Sequence, residues 1–228
     1  MHDLDLTGAA IAFDLDGTLV DTAPDLVATL NLILEQEGLP PLPYDDGRRM
    51  ISHGAKALIV KGFTAAGRPL DALRAETLTD RFVAHYLDRI ADESRPFPGA
   101  VDALEILKAA GARLSVCTNK RTRLSEALLS ALDLTRYFEA IVGPDSAPAP
   151  KPDPRHLLTA IERSGGRRSR ALLVGDSETD ISTAKNAGIP VVAVTFGYTE
   201  VPCADLNPDA LIDHFGDLTA EVTRLLSR

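Results

Sequence analysis

Short apolar runs alternate along this chain with stretches of helical period, and the alternation predicts a parallel sheet covered by helices on both faces. The run at 9–13 is the first strand. Thr22, Pro24 and Asp25 then supply helix start signals, and Leu26, Leu30, Ile33 and Leu34 recur at helical spacing until Gly38 and Pro40 stop the pattern. Further helix is predicted over 46–63 and 70–91, and nothing between Asp21 and Ser94 has the pattern of a buried strand. A right-handed crossover between parallel strands needs a single helix, whereas this stretch offers about three. It therefore reads as an all-helical insertion.

Arg95-Pro96-Phe97-Pro98-Gly99 reads as the return hinge, its prolines restricting the chain. Regular alternation follows. A helix runs through Leu104 and Leu107 to Gly111; strands are predicted at 114–117, 140–142, 171–174 and 191–194, and helices at 122–132, 154–164, 178–187 and 218–226. The predicted fold class is α/β, with a doubly wound, mostly parallel, Rossmann-like sheet. Residues 1–20 and 95–228 form the core, and residues 21–94 form a small all-helical inserted domain.

Composition narrows the function classes. The 228 residues are 45% hydrophobic and 25% charged, as in ordinary globular proteins. A net charge of −9 argues against a broad nucleic-acid or anionic-membrane surface, which needs lysine and arginine to replace counterions. A small anionic substrate stays open, because one cluster of positive charge or a metal suffices. The first residues lack a basic region followed by an apolar stretch, and no apolar segment approaches a membrane span. Cys117 and Cys203 are too few for a disulfide framework and too far apart for a metal motif, so a reducing cytoplasm is expected, with Cys117 packed in the core.

Ligands of open doubly wound sheets bind outside the carboxyl ends of the strands. The first strand ends in Asp14 and Asp16, and the second in Thr118-Asn119-Lys120. The third leads to Lys151-Pro152, and the fourth ends in Gly175-Asp176-Ser177-Glu178-Thr179-Asp180. Crowded carboxylates repel one another, and a hard divalent cation such as Mg²⁺ relieves that repulsion while taking substrate oxygen. The same cation lets an aspartate approach a phosphate. In this inventory Lys151 holds the nucleophile and phosphoryl oxygens, and Thr118 with the Asn119 amide binds the remaining oxygens. Asp16 protonates a leaving alcohol and then takes a proton from water. No glycine-rich dinucleotide or P-loop signature is present.

The four segments, in this order and spacing, resemble the four motifs of the haloacid dehalogenase superfamily, and the helical insertion is similar to that family's small cap domain. The resemblance implies that Asp14 forms an aspartyl-phosphate, that Asp16 is the acid/base, and that Mg²⁺ is held by Asp14, the Asp16 main-chain carbonyl and Asp176. Asp180 is implied as an outer partner or occasional ligand. Ser52-His53-Gly54-Ala55, Pro96-Phe97-Pro98-Gly99, Cys117-Thr118-Asn119-Lys120 and Thr195-Phe196-Gly197-Tyr198 resemble the phosphoglycolate phosphatase branch, whose members hydrolyse 2-phosphoglycolate to glycolate and phosphate. On that resemblance His53 and Gly54 of the cap and Lys120 of the core would read the substrate. The expected partner is a small phosphorylated metabolite, with the chain a monomer or homodimer.

Plainer alternatives exist for each residue. Asp176 can be a helix N-cap, Asp180 can complement a helix dipole, and Lys120 with Arg121 can form a solvated basic turn. At the level of function, another phosphatase, a pyrophosphatase or a sugar-phosphate mutase would share every core residue. A phosphoryl-accepting receiver module would share the aspartate, threonine, lysine and Mg²⁺, but needs neither Asp16 nor a cap.

Overall fold

A computed structural model describes residues 4–51 and 54–227. Its main sheet has six parallel strands: β1 (Ala9–Phe13), β4 (Arg113–Cys117), β5 (Ala140–Val142), β6 (Arg167–Gly175), β7 (Val191–Val194) and β8 (Ala210–Ile212). They lie in the order β5-β4-β1-β6-β7-β8. β1 is central and buried on both faces, and its side chains alternate. Ile11 and Phe13 enter the core shared with helices α5 (Ala100–Ala109), α6 (Thr122–Ala131) and α9 (Leu218–Leu226). Ala10 and Ala12 face helices α7 (Pro154–Ser164) and α8 (Glu178–Ala187). Methyl-sized side chains on that face let α7 pack directly against the central strand.

Between β2 (Val20–Asp21) and β3 (Arg95–Pro96) the chain forms helices α1 (Ala23–Gln36), α2 (Tyr44–Arg48), α3 (Ala55–Ala65) and α4 (Ala72–Asp88). They share an apolar core of their own, built on Leu30, Ile33, Leu34, Leu58, Phe63 and Phe82. β2 and β3 pair antiparallel, Val20 opposite Pro96 and Asp21 opposite Arg95, so the two crossings form a neck. Asp25, in the first turn of α1, locks it: its carboxylate accepts from the main-chain N–H of Glu93 (3.0 Å) and of Ser94 (2.8 Å), and from the Ser94 hydroxyl (2.6 Å).

The structure differs from the sequence reading in one helix, one strand and three short strands. The helix expected at 46–63 is two, because Gly54 takes a left-handed φ of 83° before α3 begins. The strand expected at 171–174 starts at Arg167, where charged, exposed residues hid its first turn from a hydrophobic pattern. β2, β3 and β8 are two or three residues long, too short to carry any period. Cys117 is buried in β4, and no helix among the described residues is long and apolar enough to cross a membrane.

Candidate active site

The loop after β1 carries the first two acids. Its turn is closed by three N–H groups, of Thr18, Leu19 and Val20, all donating to the Leu15 carbonyl. Gly17 is required at its tip: φ is 84°, and an added Cβ would lie 2.5 Å from Asp176 Oδ2. One oxygen of Asp14, Oδ1, accepts from Lys151 Nζ at 3.0 Å and from the Leu15 N–H at 2.7 Å, which fixes the carboxylate in rotation. Burial pushes this carboxyl up to about 6, Lys151 opposing and Asp180 adding to the rise.

The loop after β6 faces it. Asp176 accepts from the Thr18 hydroxyl (3.0 Å) and from the Tyr198 N–H (2.8 Å). Burial, then the charges of Asp180 and Asp14, drive its carboxyl to about 8. Asp180 is fully buried, and both of its oxygens have protein partners: Oδ1 the Lys151 ammonium at 2.6 Å, Oδ2 the Ser177 hydroxyl at 2.6 Å and the Ser177 N–H at 3.1 Å. The helix cap here is Ser177, which forms a capping box with Asp180, so Asp176 is free of that duty.

Asp14, Asp176 and Asp180 each present an oxygen, and these oxygens lie within 4.8 Å of one another. Among the described residues, three carboxylates there meet one ammonium, that of Lys151. Ionising all three in this buried site leaves more negative charge than Lys151 balances, which is why Asp14 and Asp176 are raised, and every donor offered is a carboxylate oxygen. Such a donor set fits a hard divalent cation. Lys151 itself is held above the usual lysine range: burial would lower it, and Asp14 and Asp180 overcome that.

The remaining predicted residues fall in two groups. Thr118, the residue after β4, is buried, and its hydroxyl accepts from the Lys120 N–H at 3.2 Å. The Asn119 side chain ties two loops together, donating to the Lys151 carbonyl (3.2 Å) and accepting from the Lys151 N–H (3.0 Å), which leaves ligand contacts to its main-chain N–H. Lys120 is not a solvated basic turn. It is 6% exposed, and its ammonium donates to Asp16 Oδ1 (2.9 Å), Asp16 Oδ2 (3.2 Å) and the Tyr86 hydroxyl (2.9 Å). Asp16 also accepts from the Thr22 hydroxyl at 2.7 Å. Gly54 abuts this loop from α3: an added Cβ would lie 3.1 Å from the Asn119 carbonyl. His53 lies outside the described residues.

Several residues that the sequence reading gave no role at the site take part in it. Tyr198 bridges site and neck, its N–H on Asp176 while its hydroxyl donates to Asp21 (2.5 Å) and accepts from the N–H of Thr22 (2.7 Å) and of Ala23 (3.0 Å). Arg48 of α2 stacks over the Tyr198 ring at 5.0 Å and donates to the Phe196 carbonyl at 3.0 Å. Gly197 is compelled by proximity, since a Cβ there would sit 2.2 Å from that of Asp176. The segment Thr195-Phe196-Gly197-Tyr198 was legible as a branch resemblance, but its contacts with Asp176 and the neck were not.

The fold and the strand-end cluster place the chain in a class of hydrolases, and comparison agrees: the family model for haloacid dehalogenase-like hydrolases matches residues 11–194, and the chain belongs to that family. Among individual proteins, it is 58% identical to a phosphoglycolate phosphatase of Caulobacter vibrioides, over 98% of this chain and 94% of that protein. It is 48% identical to a phosphoglycolate phosphatase of Mesorhizobium japonicum, over 96% of each. A crystal structure of a predicted phosphoglycolate phosphatase from Haemophilus somnus superposes with a TM-score of 0.86 at 33% identity, covering 93% of this chain and 96% of that one.

Proposed function

We propose that this protein is a Mg²⁺-dependent phosphomonoester hydrolase that works through an aspartyl-phosphate on Asp14 and converts 2-phosphoglycolate to glycolate and phosphate. The observation that carries the chemistry is the Asp14 carboxylate, fixed by Lys151 beside a cluster with surplus negative charge. The identity of the substrate is supported by 58% identity to a phosphoglycolate phosphatase across nearly the whole chain, helical insertion included.

Asp14 and Asp176, with the Asp16 main-chain carbonyl, would hold the cation; Asp180, whose two oxygens already have partners, is an outer partner that holds Lys151 and Ser177 in place. When bound, Mg²⁺ neutralises phosphoryl charge and the repulsion between the carboxylates. An Asp14 oxygen attacks phosphorus, and the ester oxygen departs with a proton from Asp16. Water, giving its proton back to Asp16, then attacks the aspartyl-phosphate phosphorus and regenerates Asp14. Lys151, Thr118 and the Asn119 N–H stabilise the transferring oxygens.

Residues 21–94 act as a cap that decides whose phosphate enters, which is supported by their separate apolar core and by the neck that Asp25 locks. A small phosphorylated acid is the partner, and the cytoplasm the compartment. The test is phosphate release with Mg²⁺ across 2-phosphoglycolate, pyrophosphate, hexose phosphates and nucleotides. Preference for 2-phosphoglycolate is expected. A bisphosphate intermediate and an isomerised sugar, with little free phosphate, would point to a mutase instead.

A further inference from the structure

Between the insertion and the core lies a cavity of about 170 Å³. Its walls are largely apolar, from Leu26, Leu58, Phe82 and Leu124, and the Asp16 and Lys120 side chains open onto it. Lys56 and Arg121 also reach its rim, but Lys56 is mostly exposed and Arg121 is exposed, so Lys120 is the buried cation here among the described residues. Helix α3 begins at the same cavity with Gly54 and no side-chain cap, so its positive end faces the same space.

Lys120 is spent on the group that turnover needs free. Its ammonium covers both oxygens of Asp16, at 2.9 and 3.2 Å, although one of those oxygens must carry a proton to the leaving group. An anion entering the cavity is stripped of water and needs a cation in return. In 2-phosphoglycolate a single methylene separates the ester oxygen from the carboxylate. Once phosphorus is pinned at Asp14 and the ester oxygen meets Asp16, the carboxylate falls within reach of an ammonium that sits 2.9 Å from Asp16.

We propose that Lys120 is the receptor for the substrate carboxylate, and that the arriving carboxylate draws the ammonium off Asp16 and so frees Asp16 for the leaving oxygen. This rests on the phosphatase reading above. Lys120 pivots between the two anions while the Tyr86 hydroxyl of α4 keeps hold of it, so the cap shares in the exchange. Specificity and rate then have one origin. A phosphate ester without a carboxylate one carbon from its ester oxygen loses a binding contact and also leaves Asp16 engaged.

The experiment compares 2-phosphoglycolate with 2-hydroxyethyl phosphate, in which an uncharged hydroxymethyl group replaces the carboxylate and the phosphate is kept, in the wild type and in Lys120→Met. The wild type should favour 2-phosphoglycolate by roughly 10²-fold or more in kcat/KM, with the penalty for the analogue falling on kcat as well as KM. Lys120→Met should lose roughly 10²-fold on 2-phosphoglycolate and less than about 10-fold on the analogue, so that the preference collapses. Equal losses on both esters would overturn the inference and leave Lys120 a structural counter-ion. A wild type indifferent between the two esters would instead defeat the substrate reading itself. Calorimetry supplies a readout independent of turnover. 2-Phosphoglycolate should bind Asp14→Asn roughly 10²-fold more tightly than it binds the Asp14→Asn, Lys120→Met double variant, and equal affinities would overturn the inference again.

Discussion

Replacing Asp176 with Asn should stabilise the metal-free protein while abolishing its response to the cation. The carboxyl is 2% exposed, and burial together with Asp180 and Asp14 moves it from 3.8 to about 8. A folded value above the unfolded one means that the stability contributed by this group is complete below about pH 4 and is lost as pH rises toward 8. At pH 7.5 the loss has a ceiling of about 5 kcal/mol, at ~1.4 kcal/mol per pH unit. Relaxation and water entry reduce it, and Asn keeps an oxygen for the Tyr198 N–H without a charge to desolvate. We expect a gain of about 2 kcal/mol in chelator at pH 7.5, or roughly 4–8 °C in Tm for a chain of this size. The assay is thermal unfolding followed by circular dichroism, at pH 5.0 and 7.5, with chelator and then with Mg²⁺. Wild type should lose stability between the two pH values and regain it with Mg²⁺, while the variant should lose less, only the part that Asp14 contributes as pH passes about 6, and should not respond to Mg²⁺. A variant that melts below wild type in chelator at pH 7.5 would refute the reasoning.

Other consequences are as direct. Asp16→Ala should cost roughly 10²- to 10⁴-fold with 2-phosphoglycolate and less with p-nitrophenyl phosphate, whose leaving group needs no proton; equal losses would count against a leaving-group acid. Asp25→Ala strips the acceptor from three donors at the neck, two of them on buried Ser94, and should cost about 3 kcal/mol in urea unfolding. A cost below about 1 kcal/mol would show that the neck is held elsewhere. Gly197→Ala pushes on the Asp176 side chain and should raise the Mg²⁺ concentration for half-maximal activity by roughly 10- to 100-fold. An unchanged Mg²⁺ dependence would remove Gly197 from the account.

The alternation of apolar runs made the sheet legible, because its central strands are buried on both faces and so read as continuous apolar segments. The placement of Asp14 and Asp176 at strand ends, and of Lys151 in the loop that the third strand leads into, was legible for the same reason: once strands are located, their carboxyl ends face one edge. What could not be read were the contacts across long separations. Tyr198 meets Asp21 and Asp176 through turns with no periodicity, and for Lys120 the sequence left a substrate-reading role and a solvated basic turn both open, because its contacts with Asp16 and with Tyr86 of α4 span long separations. The resemblance implied that Asp176 holds the cation and Asp180 stands outside it, but the contacts that separate the two, Lys151 and Ser177 on Asp180 against Thr18 and Tyr198 on Asp176, were not readable from residue types.

The central claim is that Asp14 carries the phosphoryl group between ester and water. Acid quench of the enzyme during turnover of 2-phosphoglycolate with Mg²⁺, followed by proteolysis and mass spectrometry, tests it most directly. The account predicts a phosphorylated peptide whose modified residue is Asp14, and none from Asp14→Asn. Phosphate found on another residue, or wild-type turnover by Asp14→Asn, would contradict it.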